Sequence, residues 1–318
     1  MFNNELWFNP AEDTSARVLF WMGARASGAS DRTPDIISYI ESATTGNPSD
    51  FGDGYDAFRV NGLGNATRHM AGGGDTNLSY GQTDQIEYVN PTSLGNSVDF
   101  GNLTEALIDV VGTSNDTRGI WAGGSKDGSA SYASRNVIQY LTIASTGDCS
   151  DFGDLNTTTN MSGGGASTTR SICAINGSSA SVSYQNFADY VTIASTGDAS
   201  DFGDMSVGST ACKSSASSTR LCHWIAYTGS YVDTIDYLTI ASTGDASDFG
   251  DSTRAGCYGT YGSGSKVRGI QAGGQNSGGY IDVIEYVTIA STGDASDFGD
   301  LESAKQSGAS TSTNHGGL

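Results

Sequence analysis

The feature that most constrains this chain is a ten-residue phrase written again and again. STGDASDFGD occupies 195–204, 242–251 and 291–300, and STGDCSDFGD at 145–154 differs by one residue. Two looser copies come earlier, TGNPSDFGD at 45–53 and GNSVDFGN at 95–102. The phrase's phenylalanine falls at Phe51, Phe100, Phe152, Phe202, Phe249 and Phe298, so successive copies lie 47 to 52 residues apart. Six like units of this length must stack or close into a ring, because one alone cannot bury its own apolar face.

Each unit carries further landmarks in a fixed order. An arginine recurs at Arg17, Arg68, Arg118, Arg170, Arg220 and Arg268. A tyrosine in an apolar run follows it: Tyr39, Tyr88, Tyr140, Tyr190, Tyr237 and Tyr286. Four short β-branched or aromatic runs per unit, separated by Gly, Asn, Asp and Ser, read as four strands. The first is a Ser/Gly/Ala-rich run such as SVGSTACKS, and the second follows the arginine, as in RGIWAGG at 118–124. The third carries the tyrosine, and the fourth is the DFG run. Four strands repeated six times predict an all-β protein, a six-bladed β-propeller of four-stranded blades over 17–318, with a β-solenoid as the rival fold. Residues 1–16 read as an N-terminal arm. The tail 301–318 reads as one more first strand, while the first unit starts at its second strand. The tail is therefore expected to join the N-terminal blade and close the ring, removing a sheet edge.

The acidic phrase admits two readings, a calcium loop or a turn. Asn47 and Asn96 stand where later copies have Asp245, and Asn102 where they have Asp251. Lost charge weakens a cation loop, whereas Gly-Asn and Gly-Asp serve a turn equally well. D-x-x-D-x-x-D also differs from the alternating calcium-loop spacing. The turn reading is preferred, and no metal or cofactor is expected. One acidic position is present in all six units: Asp50, Asp99, Asp151, Asp201, Asp248 and Asp297. Six such aspartates and six arginines predict an Arg–carboxylate pair within or between blades.

Composition narrows function. With 35 acidic and 15 basic side chains the formal charge is −20, which argues against nucleic acid as a partner. No run approaches the length of a membrane span, and the N-terminus shows no secretory signal pattern. Five cysteines without a CxxC pair suggest a reducing compartment rather than a disulfide framework. Three histidines, His69, His223 and His315, sit at unrelated repeat positions without metal-ligand spacing, and no nucleophile–base set is visible, so the chain is read as no enzyme.

A Gly-Gly doublet closing the second strand (Gly72–Gly73, Gly123–Gly124, Gly273–Gly274), a tyrosine on the third and an aromatic on the fourth resemble the kelch repeat. Phe stands where kelch units usually carry Trp, and units four and five lack the doublet (AINGS, AYTGS). YVTIASTGDASDFGDL with its upstream arginine, the opening ELWFNPA and the closing HGGL resemble kelch-like repeat proteins in the virions of marine tailed bacteriophages, including cyanophages. The resemblance spans nearly the whole chain and is most specific in units three to six. It implies a virion structural protein of the tail or a fibre, assembled in the host cytoplasm.

Two parts of the chain are candidates for contact. The loops between second and third strands vary while the scaffold repeats, and each of five carries a tyrosine: Tyr80, Tyr132, Tyr184, Tyr231 and Tyr280. Tyrosine among Ser, Gly and Asn is a paratope-like composition, suited to a host cell-surface glycan or protein. The bland alternative is an ordinary polar loop surface. The arm contains Phe2, Trp7 and Phe8, fit for docking on another virion protein or for folding back on its own propeller. A head or tail decoration or connector without receptor role is the alternative function, and a glycan-active enzyme using paired carboxylates is a further one.

Overall fold

The computed structural model describes residues 16–25, 35–76, 81–127, 132–175, 177, 184–256 and 258–313. Its frame is six antiparallel sheets arranged as a six-bladed β-propeller. From the axis outward, blade 1 is Ala309–Ser312, Arg17–Trp21, Ile36–Glu41 and Ser49–Asp53. Blade 2 is Asn61–Gly64, His69–Gly72, Gln85–Val89 and Val98–Asn102. Blade 3 is Val111–Ser114, Arg118–Ala122, Tyr132–Thr142 and Ser150–Thr159. Blades 4 and 5 follow as Gly163–Ala166, Arg170–Ile175, Gln185–Thr192, Ser200–Ser209, then Lys213–Ala216, Arg220–Trp224, Thr234–Thr239, Ser247–Asp251. Blade 6 is Tyr261–Gly264, Arg268–Ala272, Val283–Thr288 and Ser296–Asp300.

The ring closes as the repeat count requires. Ala309–Ser312 pairs antiparallel with Arg17–Trp21, so the last described strand is the inner strand of the first blade. The closing strand is shorter than the 301–318 tail. Lys305–Gln306 instead pairs with Ala24–Arg25 beside the blade, and 314–318 lie outside the described residues. Ala16, read as the end of the arm, is fully buried and its carbonyl accepts the Ser42 N–H. Phe2, Trp7 and Phe8 lie outside the described residues.

One boundary differs from the sequence reading. SVGSTACKS spans the end of a fourth strand and the start of a first, because Ser200–Ser209 continues through Val207. The third strand of blade 4 starts early, at Gln185, and offers Ser209 a partner across a bulge. A bulged strand stays paired while turning.

The core lies between blades rather than within them. Val111, Ile120, Ile138 and Phe152 of blade 3 pack with Ala166, Cys173, Val191 and Ile193 of blade 4, and the seam has the same build, with Val18, Phe20 and Ile40 against Tyr261, Ile270 and Phe298. Burial on both faces is why runs such as IEYVTI are nearly all apolar. Each blade repeats one aromatic pair at right angles, from Tyr88–Phe100 at 5.7 Å to Tyr39–Phe51 at 6.0 Å between centroids. Such edge-to-face pairs add about 0.5–1.5 kcal/mol each beyond their area.

The repeated phrase is the joint between neighbouring blades. Its Gly N–H donates to the carbonyl of the preceding blade's Phe at all six boundaries, for example Gly197 to Phe152 and Gly46 to Phe298. The next residue caps the same strand: Asp198 Oδ1 accepts the Asp154 N–H at 3.1 Å, and Asn47 Oδ1 accepts that of Asp300 at 3.0 Å. Asn serves as well as Asp because only an acceptor oxygen is used. The DFG glycine completes the joint. A Cβ on Gly203 would stand 2.4 Å from the Gly244 carbonyl of the next blade, and the other five DFG glycines meet the same wall.

The six arginines do not pair with the six aspartates. Each guanidinium lies over its own blade's tyrosine, from 4.3 Å for Arg17 on Tyr39 to 4.9 Å for Arg170 on Tyr190. Each also donates from Nη1 to a carbonyl of the following blade: Arg17 to Pro91, Arg68 to Ile143, Arg118 to Ile193, Arg170 to Ile240, Arg220 to Ile289 and Arg268 to Ser42. Asp50, Asp99, Asp151, Asp201, Asp248 and Asp297 are all exposed on the outermost strands. Solvated carboxylates gain little from pairing, whereas a carbonyl at a turn end needs a donor.

Candidate functional site

The two ends of the propeller are built differently. At one end lie the turns that carry the acidic phrase, alike from blade to blade in their Gly and in the Asp or Asn that follows it. At the other, the second-to-third-strand loops of blades 2, 3, 5 and 6 meet the connection leading into their blade. Bridges Phe58–Asp75, Ile108–Ser125, Thr210–Tyr227 and Tyr258–Gln275 join these segments. Sequence variation is concentrated there, so this end is the candidate contact face.

A tyrosine cluster stands on it. Tyr184 from blade 4 meets Tyr227 of blade 5 edge-on at 6.0 Å, and Tyr227 meets Tyr231 at 5.2 Å. Tyr231 can reach this position because Gly256 is beside it; a Cβ at residue 256 would stand 2.3 Å from that of Tyr231. Tyr184 is 40 % exposed, and Phe187 and Val207 of the same blade are exposed as well. Tyr258, on the connection into blade 6, is inside, its hydroxyl 3.2 Å from the Met161 sulfur. Burial, and then the nearby Asp109 carboxylate, push its phenol up to about 12.

Of the five loop tyrosines read from the sequence, Tyr184 and Tyr231 share one cluster, each packed on Tyr227. Tyr280 sits apart in blade 6, its hydroxyl accepting from Gln306 Nε2 at 3.2 Å. Tyr132 begins the third strand of blade 3, paired with Asp127, and Tyr80 lies outside the described residues. Sequence reading missed Tyr227 and Tyr258. Tyr227 was within reach, since AYTGSY places it four residues before Tyr231 in the same loop.

Near the axis this face sinks into a depression of about 300 Å³, counting space open to solvent, lined by Arg59, Asp109, Met161, Lys213, Tyr258 and Ser307 among others. Arg59 Nε donates to Asp109 Oδ2 at 2.8 Å and Nη2 approaches the same oxygen. This pair spans two blades and is almost buried, so the carboxylate is neutralised where it stands.

A second set of carboxylates, also missed, is structural. The residue before each repeat tyrosine is Ser38, Glu87, Gln139, Asp189, Asp236 or Glu285. Four of these accept a backbone N–H from the preceding blade's outgoing connection: Gln139 from Thr104, Asp189 from Asn156, Asp236 from Ser206 and Glu285 from Thr253. Burial raises the carboxyls of Asp189 and Asp236 above the usual range, against the lowering effect of those bonds. The histidines that are described are structural too. His69 and His223 are fully buried, each with Nδ1 2.8 Å from a hydroxyl, Thr311 and Ser214 respectively. Burial alone pulls His223 down to about 4. Cys149, Cys173, Cys212 and Cys222 are free and buried, with thiols pushed up by burial. Among the described residues no group of three or more His, Cys, Asp or Glu side chains is placed to hold a metal ion.

No known protein family matches the chain, and no curated protein matches it. Among solved structures it is similar to that of YjhT, with a TM-score of 0.62 over 80 % of this chain and 87 % of that one, at 10 % identity. At that identity the likeness concerns the fold alone.

Proposed function

We propose that this chain is a structural protein of a tailed-phage particle, placed on the tail or a fibre, whose variable face makes a recognition contact. The observation that carries the reading is the Tyr184–Tyr227–Tyr231 cluster, gathered from two blades beside an axial depression. Tyrosines present large, stiff, amphipathic area at low entropic cost, the chemistry of a surface that binds a glycan or a protein. The repeat's resemblance to marine phage virion proteins supports the setting. In this reading the chain carries no catalytic step, and the invariant end of the ring serves as scaffold.

Two measurements test it. Antibody raised against the propeller and imaged on particles by electron microscopy is expected at the distal tail or fibre tips. Label on the head or along a shaft overturns the attachment role in favour of decoration. Purified propeller is expected to block adsorption of particles to host cells, and Tyr184→Ala/Tyr231→Ala to block it far less while melting at nearly the same temperature. Equal blocking by both proteins removes the cluster from the contact.

A further inference from the structure

Around the axis, at the mouth of the depression, six residues hold equivalent places just before the inner strands: Arg59, Asp109, Met161, Ala211, Gly259 and Ser307. All have left-handed backbones, with φ between 52° and 68°. Four steps between neighbours in this ring are closed by backbone hydrogen bonds: Asp109 to Arg59, Arg59 to Ser307, Ser307 to Gly259 and Gly259 to Ala211, each N–H to the next carbonyl. Among the described residues the two steps flanking Met161 carry no such bond. The Met161 and Ala211 N–H groups, at the edge of the depression, thus have no hydrogen-bond partner among the described residues.

Lys213 stands at the same gap. It opens the inner strand of blade 5, at a position filled elsewhere by Asn61, Val111, Gly163, Tyr261 and Ala309, so it is the one charged residue of the six. Its stem fits because Gly262 is beside it; a Cβ there would stand 2.6 Å from that of Lys213. Lys213 is half-buried and lines both the depression and a smaller cavity between the inner strands. Among the described residues it has no hydrogen bond or ion pair, while the nearby Asp109 is already held by Arg59. Burial lowers the Lys213 pKa, and a bound anion would raise it again.

A half-buried cation with no partner among the described residues is costly, and two N–H donors likewise unpaired there share its opening. We propose that the axial mouth of the propeller is a binding site for a small oxyanion, a carboxylate or phosphate group, held by the Lys213 ammonium and the Met161 and Ala211 amides with Tyr258 as its wall. On a chain of net charge −20 such a site admits one compact anionic group and repels polyanions. It stands independently of the tyrosine cluster and of any virion setting.

The test uses the whole chain at constant ionic strength, titrated with inorganic phosphate or with acetate against a chloride background, and followed by melting temperature and by amide NMR. Wild type is expected to respond saturably to one of them, acetate indicating a carboxylate site and phosphate a phosphoryl site, with the Met161 and Ala211 amides shifting. Lys213→Met keeps the stem and removes the charge, and is expected to weaken the response by about tenfold or more. Lys266→Met, exposed between the first two strands of blade 6, serves as the control and is expected to respond as wild type. A response to neither anion, an equal response in Lys213→Met, or saturable binding that leaves both amides unmoved overturns the proposal. The NMR arm decides the matter even where the variant fails to fold.

Discussion

Replacing Arg118 by alanine tests the joint that the structure assigns to the repeat. The guanidinium lies 4.7 Å above Tyr140 and donates to the Ile193 carbonyl at 2.8 Å. A charged donor on a half-buried carbonyl contributes about 1–2 kcal/mol once solvent competition is allowed for, and the stacking about 0.5–1 kcal/mol. The loss is therefore about 1.5–3 kcal/mol. At about 2 cal/mol/K per residue, 318 residues have an unfolding entropy near 0.7 kcal/mol/K, so the melting temperature should fall by about 2–4 °C if the ring melts as one unit. Arg118→Lys keeps the charge without the planar stack and should recover about half. Asp151→Asn, exposed on the same blade's outer strand, should leave the transition where it is. Calorimetry on the four proteins decides. If Asp151→Asn costs as much as Arg118→Ala, or if the latter costs nothing, the arginine does not work as described.

Further outcomes follow from the same geometry. Gly203→Ala, with φ at 144° and its Cβ 2.4 Å from a carbonyl of the next blade, should destabilise by at least about 3 kcal/mol or abolish folding, whereas Gly244→Ala, at 153° with nothing within 4 Å, should cost about 1 kcal/mol of backbone strain; denaturant titration of both checks the difference. His223 contributes stability that is full above pH 6.5 and lost as pH falls toward 4, up to about 3 kcal/mol, because the unfolded imidazole binds a proton the folded one refuses; His223→Gln should flatten that part of the melting-temperature profile. Asp236 has the opposite sign, since a raised carboxyl binds its proton more readily folded than unfolded and favours folding as pH falls toward the ordinary carboxylate range. Asp236→Asn, which keeps an acceptor for the Ser206 N–H, should be neutral or stabilising at pH 8, while Asp236→Ala should cost about 1–3 kcal/mol in chemical denaturation.

Much of the fold is legible in the sequence because it is written six times. The Tyr and Phe spacing predicts the blade, and the missing first strand of the N-terminal unit predicts the closure by Ala309–Ser312. What spacing does not convey is which partner each polar group finds. Asp50 and its five equivalents recur in every unit, yet they are exposed, while the residue before each tyrosine varies among Ser, Glu, Gln and Asp and makes the inter-blade bond in four of the six blades. Identity of residue type drew attention to the wrong set, because the structural demand there is for an acceptor and several side chains meet it. The aromatic face was half legible: Tyr231 and Tyr184 lie 47 residues apart in chain and are joined through Tyr227 only because neighbouring blades bring their loops together.

Two departures from the repeat stand together at the axis on the variable end of the ring, and their position carries the functional argument. A six-fold scaffold satisfies its groups six times over, so an unsatisfied one marks a place where a blade departed from the rule. Lys213 is such a departure, an ammonium among Asn, Val, Gly, Tyr and Ala. The open steps on either side of Met161 are another, in a belt that otherwise runs through four hydrogen bonds. Blade 4 adds Tyr184 and Phe187, both more than a third exposed, over its lengthened third and fourth strands. At the opposite end, the Gly and Asp or Asn of the phrase engage the preceding blade in the same way at all six boundaries. At those six joints the Gly N–H and the capped N–H each already have their acceptor. A partner that gains affinity by filling unmet hydrogen-bonding and apolar demand is therefore drawn to the face shared by blades 4 and 5, and to the axis beside it.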